Sequence, residues 1–150
     1  MLNEKIGTLK LAAPLCVEIG TSVGEVINEF QRHTIGCVLV CDGPKLVGIM
    51  TERDVLLKVV ARDVSSEEPV EKFMTPEPVT FTPDRTIGDA IDLMDQKNFR
   101  NIPIVSAETG EAIAVFSIKD VIDYVVESFP EQVMNLPPRP HQEMKTPEGA

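Results

Sequence analysis

The sequence has little of what marks several common classes of protein. Its 150 residues include no tryptophan, one tyrosine and two histidines, and its formal net charge is -10. No basic stretch with interleaved aromatic residues offsets this acidity, which argues against nucleic acid or an anionic lipid surface as the main partner. A small anionic ligand is still permitted, because a few local cations and a helix N-terminus act within about 8 Å, the Debye length at physiological salt.

Long apolar runs and a cysteine framework are also missing. No segment approaches the roughly 18 uncharged apolar residues of a membrane span, and the first residues lack the apolar region of a secretory signal, so we expect a cytoplasmic protein. The three cysteines, Cys16, Cys37 and Cys41, are odd in number and lack the spacing of a zinc site. We expect them to be reduced, buried and inert, and we predict no metal site.

An internal repeat dominates what is present. A shift of 64 positions places Gly24 on Gly88, and past the next turn a shift of 66 places Asp54 on Asp120. The second copy therefore has a turn that is longer by two residues. A length change confined to a turn is what a repeated fold tolerates, since loops accept insertions that strands do not.

Within each copy the apolar pattern changes from helical to extended and back to helical. Apolar residues at i, i+3, i+4 and i+7 predict a helix, opened by a hydroxyl cap at Ser22 or Thr86 with an acid three residues later. Two short apolar strands joined by a turn follow, and a second helix begins directly after them. The inward positions of the two opening helices are Val23, Val26, Ile27 and Phe30 in the first copy and Ile87, Ala90, Ile91 and Met94 in the second.

The predicted fold class is therefore α/β, built from two tandem β-α-β-β-α units. We expect the units at residues 7–62 and 72–128, with short and irregular opening strands near residues 15–19 and 79–82. The acidic, polar stretch over 63–71 is predicted to be a linker outside the core. The proline-rich stretch over 129–150 is predicted to be an extended tail, in which the candidates for packing are Val133, Met134 and Leu136.

Each unit closes with a strand that runs into a helix through a hydroxyl-x-x-Asp turn, in the sequences GIMTERDVL and AVFSIKDVI. In this doubled turn and doubled order of elements, the chain resembles a tandem pair of cystathionine-β-synthase-type (CBS) domains, called a Bateman module. The resemblance covers roughly residues 7 to 128. It implies a pseudo-two-fold disc of two α/β units, which pairs with a second module as a homodimer and binds adenosine-containing ligands in the clefts between the repeats.

The family's binding pattern, carried over position by position, implies that Asp54 and Asp120 hold ribose hydroxyls and that Thr51 and Ser117 meet phosphate. Nearby cations can meet phosphate or offset the carboxylate charge; the candidates are Arg53, Lys119 and Arg100. The first copy has no counterpart of Arg100, because GCVLV stands where the second copy has RNIPIV. The resemblance also implies walls for the adenine base, at Leu15, Cys16, Val38 and Leu39 in the first copy and at Val79, Thr80, Ile102 and Pro103 in the second.

The chemistry of the turn supports a binding role and a purely structural one. The first N–H groups of a helix lack internal partners and favour an anion, while an ionised Asp that accepts two hydrogen bonds suits a neutral diol such as ribose. The same pattern is also a capping box, in which the acid only binds the N–H of the capping residue. Thr51 and Ser117 differ from Ser22 and Thr86 in following a strand directly, where a ligand cleft can open.

We therefore predict a regulatory module, not an enzyme, that senses AMP, ADP, ATP or another adenosyl compound and signals to a regulated protein by conformational change. One alternative is a structural dimerisation module whose turns are caps. Another is a nucleotide-processing enzyme, disfavoured because the sequence has no metal-binding carboxylate cluster or glycine-rich phosphate loop. No required cofactor, nucleic acid or membrane partner is expected.

Overall fold

Two copies of one order of elements occupy residues 2–128, the part of the chain that the computed structural model describes. The fold class is α/β, as the sequence predicts. The predicted tail, with Val133, Met134 and Leu136, lies outside the described residues.

The first unit is a sheet covered by two helices. Strand β1 runs parallel to β2, and β2 forms an antiparallel hairpin with β3. The second helix begins as one α-helical turn and continues with the wider hydrogen-bond spacing of a π-helix. The elements are β1 (Cys16–Glu18), α1 (Val23–Arg32), β2 (Cys37–Asp42), β3 (Lys45–Thr51) and α2 (Glu52–Asp54, continued as Val55–Val60).

The second unit repeats this order with a reduced opening strand. A single parallel bridge between Phe81 and Ile104 stands where the first unit has β1. The hairpin and both helices are present, as predicted. Strand β4 (Thr75–Pro76) lies between the units and belongs to the sheet of the first. The elements of the second unit are α3 (Ile87–Lys97), β5 (Asn101–Val105), β6 (Ala112–Ser117) and α4 (Ile118–Ser128).

Each unit has its own apolar core, and a third cluster joins the two. The predicted inward positions of both opening helices are confirmed: Val23, Val26, Ile87 and Ala90 are fully buried, and the others pack against the same cores. The joining cluster consists of buried residues of β2 and β3 packed against β6 of the other unit. Its members are Cys37, Leu39, Ile49, Leu46, Ala112 and Val115.

Each unit is completed by the segment that precedes the other unit. Strand β4, which leads into the second unit, pairs with β3 of the first through Thr75 and Ile49. In return Ala12, which leads into the first unit, forms an antiparallel bridge with Val115 of β6. The two units therefore share backbone hydrogen bonds as well as apolar contacts.

The segments that each unit receives from beside the other unit also supply partners for the N–H groups at the start of α1 and α3. The N–H groups of Val23 and Gly24 donate to carbonyl oxygens of the linker, at 2.8 and 2.9 Å. The N–H groups of Ile87 and Gly88 donate to carbonyl oxygens of the N-terminal segment, at 3.0 and 2.9 Å. The first N–H groups of a helix have no partner inside the helix. Here the linker caps α1, and the N-terminal segment caps α3.

The expectation that the linker lies outside the core is wrong for Val70. This residue is fully buried in the core of the first unit, where it begins a short 3₁₀ turn at Val70–Lys72. Its N–H also donates to the carbonyl oxygen of Thr21 at 2.8 Å. One apolar residue among many charged ones is thus enough to anchor this stretch. Within residues 2–128, no helix is both long enough and apolar enough to cross a membrane.

Candidate functional site

The first hydroxyl-x-x-Asp turn joins β3 to α2 and forms a closed ring of hydrogen bonds. The N–H and the hydroxyl of Thr51 both donate to Oδ2 of Asp54, at 3.0 and 3.1 Å. The N–H of Asp54 donates back to the Thr51 hydroxyl oxygen at 3.1 Å. The turn is thus a complete capping box at the end of a strand.

Two further donors surround the Asp54 carboxylate. The ammonium of Lys58 lies 3.1 Å from Oδ1, and the hydroxyl of Thr75 lies 3.4 Å from both oxygens. Asp54 is 9% exposed and is the one buried charged residue within residues 2–128. A carboxylate this deep needs such partners, because burial of an unpaired charge is costly.

The second turn joins β6 to α4 with the same internal geometry and fewer partners. The N–H and the hydroxyl of Ser117 donate to Oδ2 of Asp120, at 2.7 and 3.0 Å, and the Asp120 N–H donates to the Ser117 hydroxyl oxygen at 3.3 Å. Asp120 is half-buried. No donor from residues 2–128 reaches its other oxygen, Oδ1, which therefore keeps its acceptor capacity.

A third box shows that hydrogen bonds within a turn do not distinguish a binding site from a cap. Thr86 and Asp89 exchange the two capping-box bonds, from the Thr86 N–H to Oδ2 of Asp89 and from the Asp89 N–H to the Thr86 hydroxyl oxygen, at the start of α3, which follows a loop and not a strand. The bond from the Thr86 N–H, with help from Arg85, lowers the pKa of Asp89 below its ordinary value. What distinguishes the turns at Thr51 and Ser117 is their position directly after a strand.

The predicted cations lie near the turns but make few ion pairs. The carbonyl of Arg100 accepts from the N–H of Ile118 at 3.0 Å, which fixes Arg100 beside the second turn with its side chain exposed. Neither Arg100 nor Arg53 forms an ion pair with any residue in the described range. Lys119 is bound to Asp123 at 3.2 Å on the outer surface of α4, and its side chain is 80% exposed. The cation at Asp54 is Lys58.

In the first copy, the residues predicted to enclose the adenine base are brought together by the pairing of β1 with β2. Cys16 is opposite Leu39, and the Leu39 N–H donates to the Leu15 carbonyl at 2.9 Å. Val38 and Leu39 are fully buried and belong to the apolar clusters, whereas Cys16 is exposed. The backbone of these residues lies close to the first turn, because Cys37 is opposite Thr51.

In the second copy, the residues predicted to enclose the adenine base are brought together by a parallel backbone bridge. The parallel bridge from Phe81 to Ile104 brings residues 79–80 alongside Ile102 and Pro103, and the Phe81 N–H donates to the Pro103 carbonyl at 3.0 Å. Ile102 and Pro103 are buried, Thr80 is half-buried and Val79 is exposed. Asn101 is opposite Ser117, so the second turn also lies at the start of this strand pair.

The starts of the central strands of the two units lie side by side. A Cβ atom added to Gly36, which precedes β2, would lie 3.0 Å from the side-chain oxygen of Asn101 at the start of β5. Since Cys37 is opposite Thr51 and Asn101 is opposite Ser117, both turns lie on the side of the molecule where the units meet. This region contains the carboxylates of Asp54 and Asp120, the hydroxyls of Thr51 and Ser117, and the guanidinium groups of Arg53 and Arg100, which form no ion pair within residues 2–128.

A cavity of about 430 Å³ lies at the other end of the hairpins. The turns between β2 and β3 and between β5 and β6 border it, together with the segment that follows β4. Thr80 is its one lining residue among the predicted site residues, and neither Asp54 nor Asp120 reaches it. Its mixed lining, which includes Lys45 and Glu77, offers no comparable set of groups for a nucleotide.

The cysteines agree with the prediction at two positions of three. Cys37 and Cys41 are buried in β2, and all three thiols are free. Burial raises the pKa of Cys37 to about 12, and burial together with the neighbouring Cys16 raises the pKa of Cys41. The expectation of burial is wrong for Cys16, because β1 is short and lies at the edge of the sheet.

Lys58 and Thr75 were not predicted as part of the site. Lys58 is four residues after Asp54 on the same helix, and this i,i+4 spacing of acid and base is a signal that the sequence carries. Thr75 is 21 residues away in a strand from the linker side, and no local pattern relates it to Asp54.

Comparison with known proteins places both units in one family. The family model of the CBS domain matches residues 10–61 and 70–127. A 17.7 kDa protein of Acidianus ambivalens is 32% identical over 121 residues, which cover 80% of this chain and 72% of that protein. A CBS domain-containing protein of Arabidopsis thaliana is 36% identical over 118 residues, which cover 77% of this chain but only 21% of that longer protein.

A solved structure supports the fold assignment. A CBS domain protein from Pyrobaculum aerophilum, in complex with AMP, superposes with a TM-score of 0.71 at 23% sequence identity. The superposition covers 77% of this chain and 88% of that one. This chain and that protein therefore share one fold.

Proposed function

Because the chain belongs to the CBS domain family as a tandem pair, we propose that it is a regulatory module that binds an adenosine-containing ligand between its two repeats. The ligand is an adenine nucleotide such as AMP, ADP or ATP, or another adenosyl compound. Binding changes the angle between the repeats, and a partner protein senses that change. The proposal describes a binding module and assigns no catalytic residue.

The observation that carries this proposal is the half-filled carboxylate of Asp120. Its Oδ2 accepts two protein donors, while its Oδ1 has no donor within residues 2–128. A carboxylate has about four acceptor positions, and a ribose 2′,3′-diol supplies two hydroxyl donors to the two that remain. The half-buried position of Asp120 lets a ligand reach it and also strengthens the resulting bonds.

Arg100 supports a ligand that carries phosphate. Its backbone is fixed beside Ser117 by the hydrogen bond to Ile118, and its guanidinium is exposed and unpaired within residues 2–128. Guanidinium groups bind phosphate in a bidentate manner, and the N-terminus of α4 adds a favourable dipole. The AMP bound to the Pyrobaculum aerophilum protein is consistent with this class of ligand.

We propose further that the module functions as a homodimer. Apolar side chains on α2 and α4 remain exposed in the single chain, with Leu56 and Val60 at 58% and Ile122 at 57%. A soluble monomer rarely leaves such patches uncovered. A second copy that covers them would also link the two modules, so that a change of angle in one is transmitted to the other.

The test is ligand identification followed by thermal shift. Native mass spectrometry of the purified protein should reveal a bound adenosine compound by its mass. Melting curves with AMP, ADP, ATP and S-adenosylmethionine should then show stabilisation of wild type, which amounts to about 2.7 kcal/mol at a hundred times the dissociation constant. The Asp54→Ala/Asp120→Ala double variant should lose that ligand-induced increment. A double variant that kept all of it would show that both turns are only caps.

The structural alternative has one observation in its favour, since both turns are complete capping boxes without any ligand. Single Ala variants should lose only about 0.5 to 1 kcal/mol of stability on either interpretation, so the cost in stability does not separate the two. On the structural alternative, however, no nucleotide shifts any melting curve. Incubation with ATP followed by chromatography of the products tests the enzymatic alternative. Conversion of ATP would contradict the assignment as a binding module.

A further inference from the structure

We infer that the two clefts are not equivalent: Lys58 and Thr75 close the first cleft to a ribose diol, and the cleft at Asp120 alone takes the ligand. The inference rests on the proposed function and adds to it the stoichiometry and the residues that set it. It depends on a comparison of hydrogen-bond donors around the two repeated carboxylates.

The acceptor positions of Asp54 are fully used by the protein. Three close donors and one more distant donor surround its two oxygens: the N–H of Thr51 at 3.0 Å, the hydroxyl of Thr51 at 3.1 Å, the ammonium of Lys58 at 3.1 Å, and the hydroxyl of Thr75 at 3.4 Å from both oxygens. A carboxylate offers about four acceptor positions. A ribose diol at Asp54 would therefore have to displace protein donors.

Displacement from Asp54 is unfavourable because of charge and burial. The bond from Lys58 is charge-assisted, and such bonds are about twice as strong as those between neutral groups. A ribose hydroxyl is a neutral donor and cannot replace the compensating positive charge. Asp54 is 9% exposed, so the loss of Lys58 would leave a nearly buried carboxylate without a counter-ion.

Asp120 has only two donors within residues 2–128, both from Ser117. Both bind to Oδ2, so the free positions lie mainly on Oδ1, toward which a diol can donate without displacing any described residue. The first turn is therefore saturated and the second is half-filled, although their internal geometry is the same.

Two substitutions between the repeats account for the difference. The shift of 66 that relates Asp54 to Asp120 places Tyr124 at the position of Lys58, and the Tyr124 hydroxyl donates to Glu4 at 3.2 Å. Thr75 pairs with Ile49, and the equivalent bridge in the other unit is from Ala12 to Val115. Alanine has no side-chain donor, so neither closing group of the first cleft is repeated at the second.

Isothermal titration calorimetry with AMP tests the inference through the number of sites per chain. Wild type should bind one AMP per chain, Asp120→Ala should lose it, and Asp54→Ala should keep it. The double variant Lys58→Met/Thr75→Val should bind two AMP per chain, because both changes remove donors and nearly preserve volume. If methionine is not tolerated, as judged by circular dichroism, Lys58→Ala takes its place.

The matched control is Lys72→Met. Lys72 also pairs with a carboxylate four residues away, Glu68, at 2.9 Å, but it lies outside both turns. This variant should bind one AMP per chain with wild-type affinity. A gain of a second site here would show that the loss of any lysine charge is enough, and the role of Lys58 would be refuted.

The outcomes separate this inference from the proposed function. Two AMP per wild-type chain, loss of the wild-type site in Asp54→Ala but not in Asp120→Ala, or a Lys58→Met/Thr75→Val variant that still binds one AMP would overturn the inference and leave the proposed function intact. If wild type and all variants bind none of AMP, ADP, ATP and S-adenosylmethionine, the proposed function is refuted and the inference with it.

Discussion

Burial of Cys37 makes the free energy of unfolding depend on pH in the alkaline range. Burial raises the pKa of its thiol to about 12 from an ordinary 9.0, so the unfolded chain releases this proton first as the pH rises. The stabilising contribution is thus complete below about pH 9 and is lost progressively as the pH rises toward 12. We expect the urea midpoint of wild type to fall more steeply between pH 8 and about pH 11 than that of Cys37→Val.

The control for this prediction is Cys16→Val, at the exposed cysteine. It should keep most of the pH dependence of wild type, since no buried thiol is removed. Equal slopes for wild type and Cys37→Val would mean that the Cys37 proton is not coupled to folding, contrary to its burial.

At the same scale, the site could be predicted from the sequence only in part. The doubled turn was predictable because the hydroxyl and the acid of each turn, Thr51 with Asp54 and Ser117 with Asp120, are three residues apart and the pair is repeated once. The inequality of the two carboxylates was not visible, because Thr75 reaches Asp54 through β-sheet pairing from another segment. Lys58 could have been found from its i,i+4 spacing, yet its contact becomes decisive only when Thr75 is also in place.

Elements with local causes were predictable, and those that depend on exchange between the units were not. The opening helices follow from apolar periodicity and hydroxyl caps, and both are confirmed. The pairing of β4 with β3 was not predicted, because two residues carry no periodicity and their partner belongs to the other unit. For the same reason the burial of Val70 was missed.

The exchange also explains why glycine stands at Gly24 and Gly88. A Cβ atom at Gly24 would lie 3.0 Å from both the Cβ and the carbonyl oxygen of Ser66, and one at Gly88 would lie 3.2 Å from the carbonyl oxygen of Leu2. The segments from the other unit therefore approach these helices so closely that a side chain at either position would require the neighbouring backbone to shift by a few tenths of an ångström. Close backbone approach is the reason for glycine at both positions.

We predict that Gly24→Ala destabilises the protein although alanine is the better helix former. The propensity gain is at most about 1 kcal/mol, whereas displacement of the linker weakens two backbone hydrogen bonds worth about 1 kcal/mol each and exposes Val70. The expected net loss is about 1 to 2 kcal/mol by chemical denaturation. Gly88→Ala should cost less, because its shortest contact, to the carbonyl oxygen of Leu2, is 3.2 Å where that of Gly24 is 3.0 Å, and the Leu2 side chain is 42% exposed. A Gly24→Ala protein as stable as wild type would contradict this account of the linker.

On the scale of the whole molecule, each of the two repeated closing helices exposes an apolar stripe. On α2 the exposed residues include Leu56 and Val60, and on α4 they include Ile118, Ile122 and Val126. The i,i+4 spacing places each set on one helix face. Each repeat therefore carries one apolar helix face beside its turn. In a symmetric dimer, a second copy of the chain can cover both faces with its own equivalent faces.

We predict that the chain is a dimer of twice its 16.5 kDa mass in light scattering at micromolar concentration. Each half-exposed side chain of the two stripes should contribute about 1 kcal/mol when covered, at roughly 25 cal/mol per Å². Leu56→Glu/Ile122→Glu places a charge in each stripe and should give a monomer with an unchanged circular dichroism spectrum. The matched control is Ile113→Glu, because Ile113 is an exposed isoleucine too, at 48%, but lies on β6 outside the stripes. This control should remain a dimer. A wild type that elutes only as a 16.5 kDa monomer, or a control that dissociates as readily as the double variant, would refute the assignment of the dimer interface to α2 and α4.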